Sequence, residues 1–332
     1  MKTPAQTSQR TDINTLKESV AGDLTTLNQL IKDSLHSPIP LIQNVVSHIL
    51  DSGGKRIRPL IVLLLANHFD GQSQHQQIEL AAIIEFVHTA TLLHDDVIDH
   101  SSMRRGHDTA NSLWGNQASI LVGDFLYSRA FQLLSKRCDD RIMKRLSFTT
   151  NTLAEGEILQ LANQGGLISE KTYLDTIYRK TAALFEAACE CAAITALQTP
   201  AIQQACALYG KLLGLIFQIQ DDLLDYTATN QSLGKNHCED IREGKATLPL
   251  IYTYQQATPA EQRLLIEALE QKNSVTETDI MNIILRYDAI ARCQSLAERY
   301  AEQALSTLST LSDTPYQKHL ATLIEFSLTR RH

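Results

Sequence analysis

An all-α fold is predicted, on three observations. Helix breakers are scarce, with 14 Gly and 8 Pro in 332 residues, which favours long helices over short elements. Helix-start signals recur. Thr258-Pro259-Ala260-Glu261 and Thr314-Pro315-Tyr316-Gln317 each place Thr at the N-cap, Pro at the first helical position and Glu or Gln at N3, the pattern of a capping box with φ pre-set. Thr199-Pro200 and Ser169-Glu170 are weaker versions. Between such signals apolar residues recur at three and four, as in Leu174, Ile177, Tyr178 and Leu184-Phe185, and no run alternates strictly, so no sheet is expected.

Along the chain, residues 1–12 are polar and are expected to form a mobile tail, with one domain over 13–332. The longest purely apolar run, Leu60 to Ala66, is far too short to cross a membrane. Loops are expected near Asp70–Gln77, Asn163–Ser169, Thr227–Leu248 and Gln271–Thr276. The third is polar, about twenty residues long and carries Lys235 and Lys245; an irregular segment of that length usually has a functional reason. The formal net charge of −7 argues against a surface spread over nucleic acid. Six Cys occur without a Cys-x-x-Cys pair, most in Ala-rich apolar stretches, which reads as buried thiols in a reducing, cytoplasmic compartment.

Two strongly apolar helices run into the same five-residue cluster. Ile83 to His94 leads into Asp95-Asp96-Val97-Ile98-Asp99, and Leu212 to Gln220 leads into Asp221-Asp222-Leu223-Leu224-Asp225. Residues four apart share a helix face, so Asp95 and Asp99 project together, as do Asp221 and Asp225. One such pair alone is commonly just a solvated face. Here both helices are apolar nearly all round and should be buried. Three close carboxylates near the negative end of a helix repel one another and the macrodipole, and buried unpaired charge is costly. Something cationic must offset this twice. Carboxylate oxygens with no adjacent Cys favour a hard ion, and Mg²⁺ suits a site shared with phosphates. Gly53-Gly54-Lys55-Arg56-Ile57-Arg58-Pro59, Arg104-Arg105-Gly106, Lys180-Thr181, Lys235 and Lys245 supply cations for anionic groups.

These residues resemble the trans-type isoprenyl diphosphate synthases from about Gly53 to Pro249. Both aspartate clusters are intact, together with Gly-Gly-Lys-Arg-Ile-Arg-Pro, Leu-Leu-His-Asp-Asp-Val-Ile-Asp, Met-Arg-Arg-Gly, Val-Gly-Asp-Phe-Leu (122–126), Ala-Glu-Gly-Glu (154–157) and Lys-Thr-Ala-Ala-Leu-Phe (180–185). Glu85 to Gln132 looks most like the members that make octaprenyl diphosphate for a quinone side chain. The resemblance implies a single-domain bundle of long helices around a central cavity, usually a homodimer, with peripheral membrane contact conceivable for product release. It implies that Lys55, Arg58, His88 and Arg105 hold the diphosphate of isopentenyl diphosphate. Asp95, Asp99 and Asp221 would bind Mg²⁺, with Asp96 and Asp225 in support. Arg104, Lys180, Thr181, Gln218, Lys235 and Lys245 would contact the allylic diphosphate or its metals. Asp95, Asp96, Asp99, Arg104, Lys180, Asp221 and Lys235 form the expected catalytic set.

One segment departs from the family pattern: Cys238-Glu239-Asp240-Ile241 replaces the common Gly-Asp-Asp-Leu, and Ala246 replaces a common Pro. A terpene cyclase would not need the second cationic site, and a metal phosphohydrolase would need more His ligands. A non-catalytic subunit would have no need of two intact clusters. Product length follows from Thr91 and Ala90, four and five residues before Asp95 and about 6–7.5 Å lower by helix rise. Small residues there leave room for a long chain, eight isoprene units by resemblance.

Overall fold

In a computed structural model, residues 13–51, 53–70, 74–104, 106–137, 139–227, 239–271 and 276–330 are described. The expected tail, Arg105, Lys235, Cys138 and Cys238 lie outside them.

The all-α expectation holds. The helices are α1 (Ile13–Glu18), α2 (Ala21–Ser34), α3 (Pro40–Asp51), α4 (Ile57–His68), α5 (Gln74–Ile98), α6 (Ala110–Arg137), α7 (Asp140–Ala162), α8 (Glu170–Ile177), α9 (Ala183–Thr195) and α10 (Pro200–Thr227). They continue as α11 (Glu239–Arg242), α12 (Leu248–Gln256), α13 (Pro259–Leu269), α14 (Glu277–Arg286), α15 (Ala289–Leu308) and α16 (Pro315–Leu328). A π-helical turn, Tyr178–Ala182, joins α8 to α9. α6 breaks at Gly115, where φ is 83°.

Three sequence expectations need correction. Two short strands, β1 (Met103–Arg104) and β2 (His107–Asp108), pair antiparallel just after the first aspartate cluster; four residues are too few to leave an alternating pattern. Helix α5 starts at Gln74, inside the loop expected to reach Gln77. Thr258 and Glu261 form the full reciprocal box, whereas Thr314 only accepts from the Gln317 amide. The Gln317 side chain donates instead to the Leu308 carbonyl. A full box absent from the expectations, Thr276 with Asp279, starts α14.

The buried apolar residues form two clusters. The larger takes most of α4 and α5 with the inward faces of α6, α7, α9 and α16. The smaller is built from α8 and α12 to α15. Helix α10 belongs to both, giving Tyr209, Leu212, Leu213 and Ile216 to the larger and Leu215, Ile219, Leu223 and Tyr226 to the smaller. The run Leu60–Leu65 is at most 1% exposed, so its hydrophobicity serves the core. No helix among the described residues is long and apolar enough to cross a membrane. Cys189, Cys191, Cys206 and Cys293 are buried thiols, as expected.

Candidate active site

The first acidic cluster closes α5. Asp96 is 4% exposed and accepts from Arg104 Nε at 2.7 Å, so the residue just past the cluster pairs with its middle member. Asp99 accepts from Lys245 Nζ at 2.9 Å, a contact spanning 146 residues. Lys245 also reaches Glu243 at 2.6 Å. Burial alone would lower the Lys245 pKa, but Asp99 and Glu243 together raise it. Asp95 is left with a buried Oδ1 that has no hydrogen-bond partner. Burial pushes its pKa up to about 7, opposed by Lys180 and Arg104 and assisted by Glu157 and Asp99.

The cation that Asp95 senses most strongly, Lys180, sits in the π-turn. Its Nζ donates to Glu157 Oε2 at 2.8 Å and Gln160 Oε1 at 2.7 Å. These partners lie on α7, and Glu157 closes the Ala-Glu-Gly-Glu motif. The next residue, Thr181, donates to Gln218 Oε1 at 2.7 Å. Gln218 in turn donates to Asp222 Oδ1 at 2.7 Å, and Tyr173 donates its hydroxyl to Asp222 Oδ2 at 2.5 Å. One π-turn therefore links to both aspartate clusters, Lys180 through its charge on Asp95 and Thr181 through Gln218 to Asp222. Such turns inside α-helices recur at functional sites.

Two glycines hold the turn. A Cβ on Gly156 of α7 would lie 2.8 Å from the Lys180 amide nitrogen, and one on Gly214 of α10 would lie 2.5 Å from Ala182 Cα. Both contacts are with backbone or with the first side-chain carbon, which cannot swing aside.

The second cluster divides its work. Asp222 is 7% exposed; burial pushes its pKa up to about 7 despite the bonds from Tyr173 and Gln218. Asp225, expected beside the metal ligands, accepts from the backbone amides of Glu239 and Asp240 at 3.0 and 3.1 Å. It thus fixes the start of α11 where the sequence departs from the family pattern. Asp240 is half-buried near Asp222 and Asp225, and desolvation raises its pKa well above the usual range. Asp221 pairs with Arg330 Nη2 at 2.8 Å. Its pKa is raised by desolvation, with Arg330, Lys55 and Arg58 opposing.

The basic turn before α4 completes the site. Arg58 Nη1 lies 3.0 Å from His88 Nε2, and its guanidinium sits 4.4 Å from the centre of the Phe185 ring. Lys55 Nζ stands 5.4 Å from the centre of the Phe326 ring. A cleft lined by Asp99, Glu157, Gln160, Gln164 and Lys245, among others, opens beside the first cluster. Below it Ala90 is fully buried and Thr91 donates to the His88 carbonyl.

The residues fit a divalent cation in chemistry: an orphaned buried carboxylate oxygen on Asp95 and all-oxygen donors on both helices. Among the described residues no three His, Cys, Asp or Glu side chains already converge as a metal-binding group; protein cations hold Asp96, Asp99 and Asp221.

A polyprenyl synthetase family model matches residues 39–285. The chain belongs to that family. It is 41% identical over 326 residues to the octaprenyl diphosphate synthase of Escherichia coli, covering 96% of this chain and 99% of the relative. A decaprenyl diphosphate synthase from Rhodobacter capsulatus superposes with TM-score 0.91 at 36% identity, covering 97% and 100% of the two chains. A polyprenyl synthase from Caulobacter crescentus, complexed with calcium and isoprenyl diphosphate, superposes with TM-score 0.91 at 37% identity, covering 97% and 98%.

Of the residues singled out by sequence, the structure brings Asp95, Asp96, Asp99, Arg104, Lys180 and Lys245 into one region and sets Lys55 and Arg58 close enough for their charge to act on Asp221. Sequence reasoning gave no role to Tyr173, Gln160, Asp240 or Arg330. Arg330 carries no motif; only the fold returns it to Asp221.

Proposed function

We propose that this protein condenses isopentenyl diphosphate repeatedly onto an allylic diphosphate, farnesyl diphosphate being the expected primer. It is a prenyltransferase making a long-chain trans-polyprenyl diphosphate, for which octaprenyl is the reading that the sequence relatives favour. The observation that carries this reading is the π-turn, whose Lys180 and Thr181 tie both acidic clusters to one site.

Lys55, Arg58, His88 and Arg105 bind the diphosphate of isopentenyl diphosphate. Arg104, Lys180, Lys235 and Lys245 hold the allylic diphosphate. Asp95, Asp99 and Asp221 would hold Mg²⁺, which when bound supplies the positive charge that neutralises the leaving diphosphate. Lys180 and Lys245 add charge as the carbon–oxygen bond breaks and its electron pair departs with the diphosphate. The carbonyl and hydroxyl dipoles of Gln218 and Thr181 face the allylic cation. The double bond of isopentenyl diphosphate closes the new carbon–carbon bond, and a proton is lost to the departing diphosphate. Fixed diphosphate sites set the two carbons in reach, and the apolar walls of α5 and α10 keep water from quenching the cation.

Residues 13–332 act as one catalytic domain in a cytoplasmic homodimer serving quinone synthesis. Two adjacent exposed apolar residues on α6 beyond the Gly115 break, Ile120 and Leu121, support self-association. Leu121→Asp should yield a monomer by sedimentation, and a dimer unaltered by that change would place the interface elsewhere.

The deciding assay incubates purified protein with Mg²⁺, farnesyl diphosphate and labelled isopentenyl diphosphate, then chromatographs the dephosphorylated product. A long polyprenol is expected. Label left water-soluble after acid treatment and extraction would remove the reading.

A further inference from the structure

We propose that Arg330 is an internal competitor for the divalent cation at Asp221, so that the second acidic cluster takes up metal together with a diphosphate rather than alone. The inference rests on the reading of Asp221 as a metal ligand.

Arg330 lies two residues past α16, where an arginine ordinarily extends its head into water. Here its side chain is 8% exposed and its Nη2 meets Asp221 Oδ1 at 2.8 Å. The guanidinium stacks 3.9 Å from the centre of the Phe217 ring, one helical turn before Asp221. Its Nε and Nη1 are buried and have no hydrogen-bond partner. Guanidinium carries five donors in a fixed fork, and leaving buried donors unmet is unfavourable. These donors sit where Lys55 and Arg58 also act on Asp221. Three cations therefore act on one carboxylate, and the idle donors of Arg330 suit an arriving anionic oxygen.

The consequence is a discrimination. A bare divalent ion reaching Asp221 must displace the guanidinium and leave its donors unmet. A metal–diphosphate complex brings oxygens that satisfy the idle donors of Arg330. Removing Arg330 should therefore strengthen bare-metal binding and weaken diphosphate binding, opposite effects that a merely structural arginine would not produce.

The test is Mn²⁺ binding by calorimetry and electron paramagnetic resonance, with and without inorganic pyrophosphate, on wild type, R330Q, R330K, D221N and the R330Q/D221N double variant, each checked by thermal melting. R330Q should bind bare Mn²⁺ about tenfold tighter and pyrophosphate about tenfold weaker, the range of one charged hydrogen bond. R330K should stay near wild type, and the tightening should vanish in the double variant. Bare-metal affinity unchanged or weakened in folded R330Q overturns the proposal. So does R330K matching R330Q, or a wild type that fills all its Mn²⁺ sites equally with and without pyrophosphate. If D221N keeps the full Mn²⁺ count with pyrophosphate, Asp221 is not a ligand and the underlying functional reading fails. If D221N loses an ion while R330Q shifts nothing, only the competition fails.

Discussion

At the scale of single residues, the two aspartate clusters are held by unequal means. Asp96, Asp99 and Asp221 have protein cations, whereas Asp95 keeps a buried oxygen without a partner. Asp95→Asn keeps the shape and removes the charge. Turnover should fall about a thousandfold, the scale of losing a principal electrostatic group, with the melting temperature held or raised at neutral pH. Near-normal turnover would remove Asp95 from the metal set. The raised values of about 7 for Asp95 and Asp222, against 3.8 ordinarily, carry a pH signature. The folded chain retains protons that the unfolded chain releases, so metal-free stability should fall as pH rises from about 4 to about 7. Mg²⁺ should raise the melting temperature more at pH 8 than at pH 6. An equal Mg²⁺ effect at both values, by calorimetry, would contradict this. The carboxylates were legible because five-residue acidic clusters closing apolar helices stand out in any reading. Asp225 was grouped with them by spacing, but backbone amides fourteen and fifteen residues on claim its oxygens, and spacing cannot see those.

At the scale of elements, the π-turn Tyr178–Ala182 aims Lys180 and Thr181. The sequence hid it, because apolar positions continue through Leu174, Ile177, Tyr178 and Leu184 at ordinary helix spacing, and one extra residue in a turn leaves no compositional mark. Its neighbours leave no slack. Gly214→Ala would place Cβ 2.5 Å from Ala182 Cα, so α10 and the turn must part. The expected loss is about 1–3 kcal/mol of stability by overpacking. Turnover should fall further than that loss alone explains, because Lys180 is re-aimed. Denaturant unfolding beside kinetics checks it, and a variant with lowered stability but full kcat would show the turn tolerates displacement. The helix starts at Thr258, Ser169 and Thr199 were legible because capping is local chemistry. The Lys245–Asp99 pair was not, since nothing local joins residues 146 apart.

At the scale of the whole molecule, the all-α class was legible from scarce breakers and recurring caps, while the division of the interior was not. Ala90 belongs to the larger core and α6 faces it through Leu126, Ala130 and Leu134. Ala90→Tyr should shorten the product, read by chromatography beside a melting curve that establishes folding. An unchanged chain length in a folded variant would put the limiting wall elsewhere. Leu223, Tyr226, Ile241 and Ala246, which frame the second cluster and its following segment, belong to the smaller core. Ala90 and the frame of the second cluster thus lie in different compartments joined by α10. Substitutions near Ala90 that lengthen or shorten the product can accumulate in one compartment while the packing around the second cluster stays untouched. A scaffold partitioned in this way can diversify its products without rebuilding its chemistry.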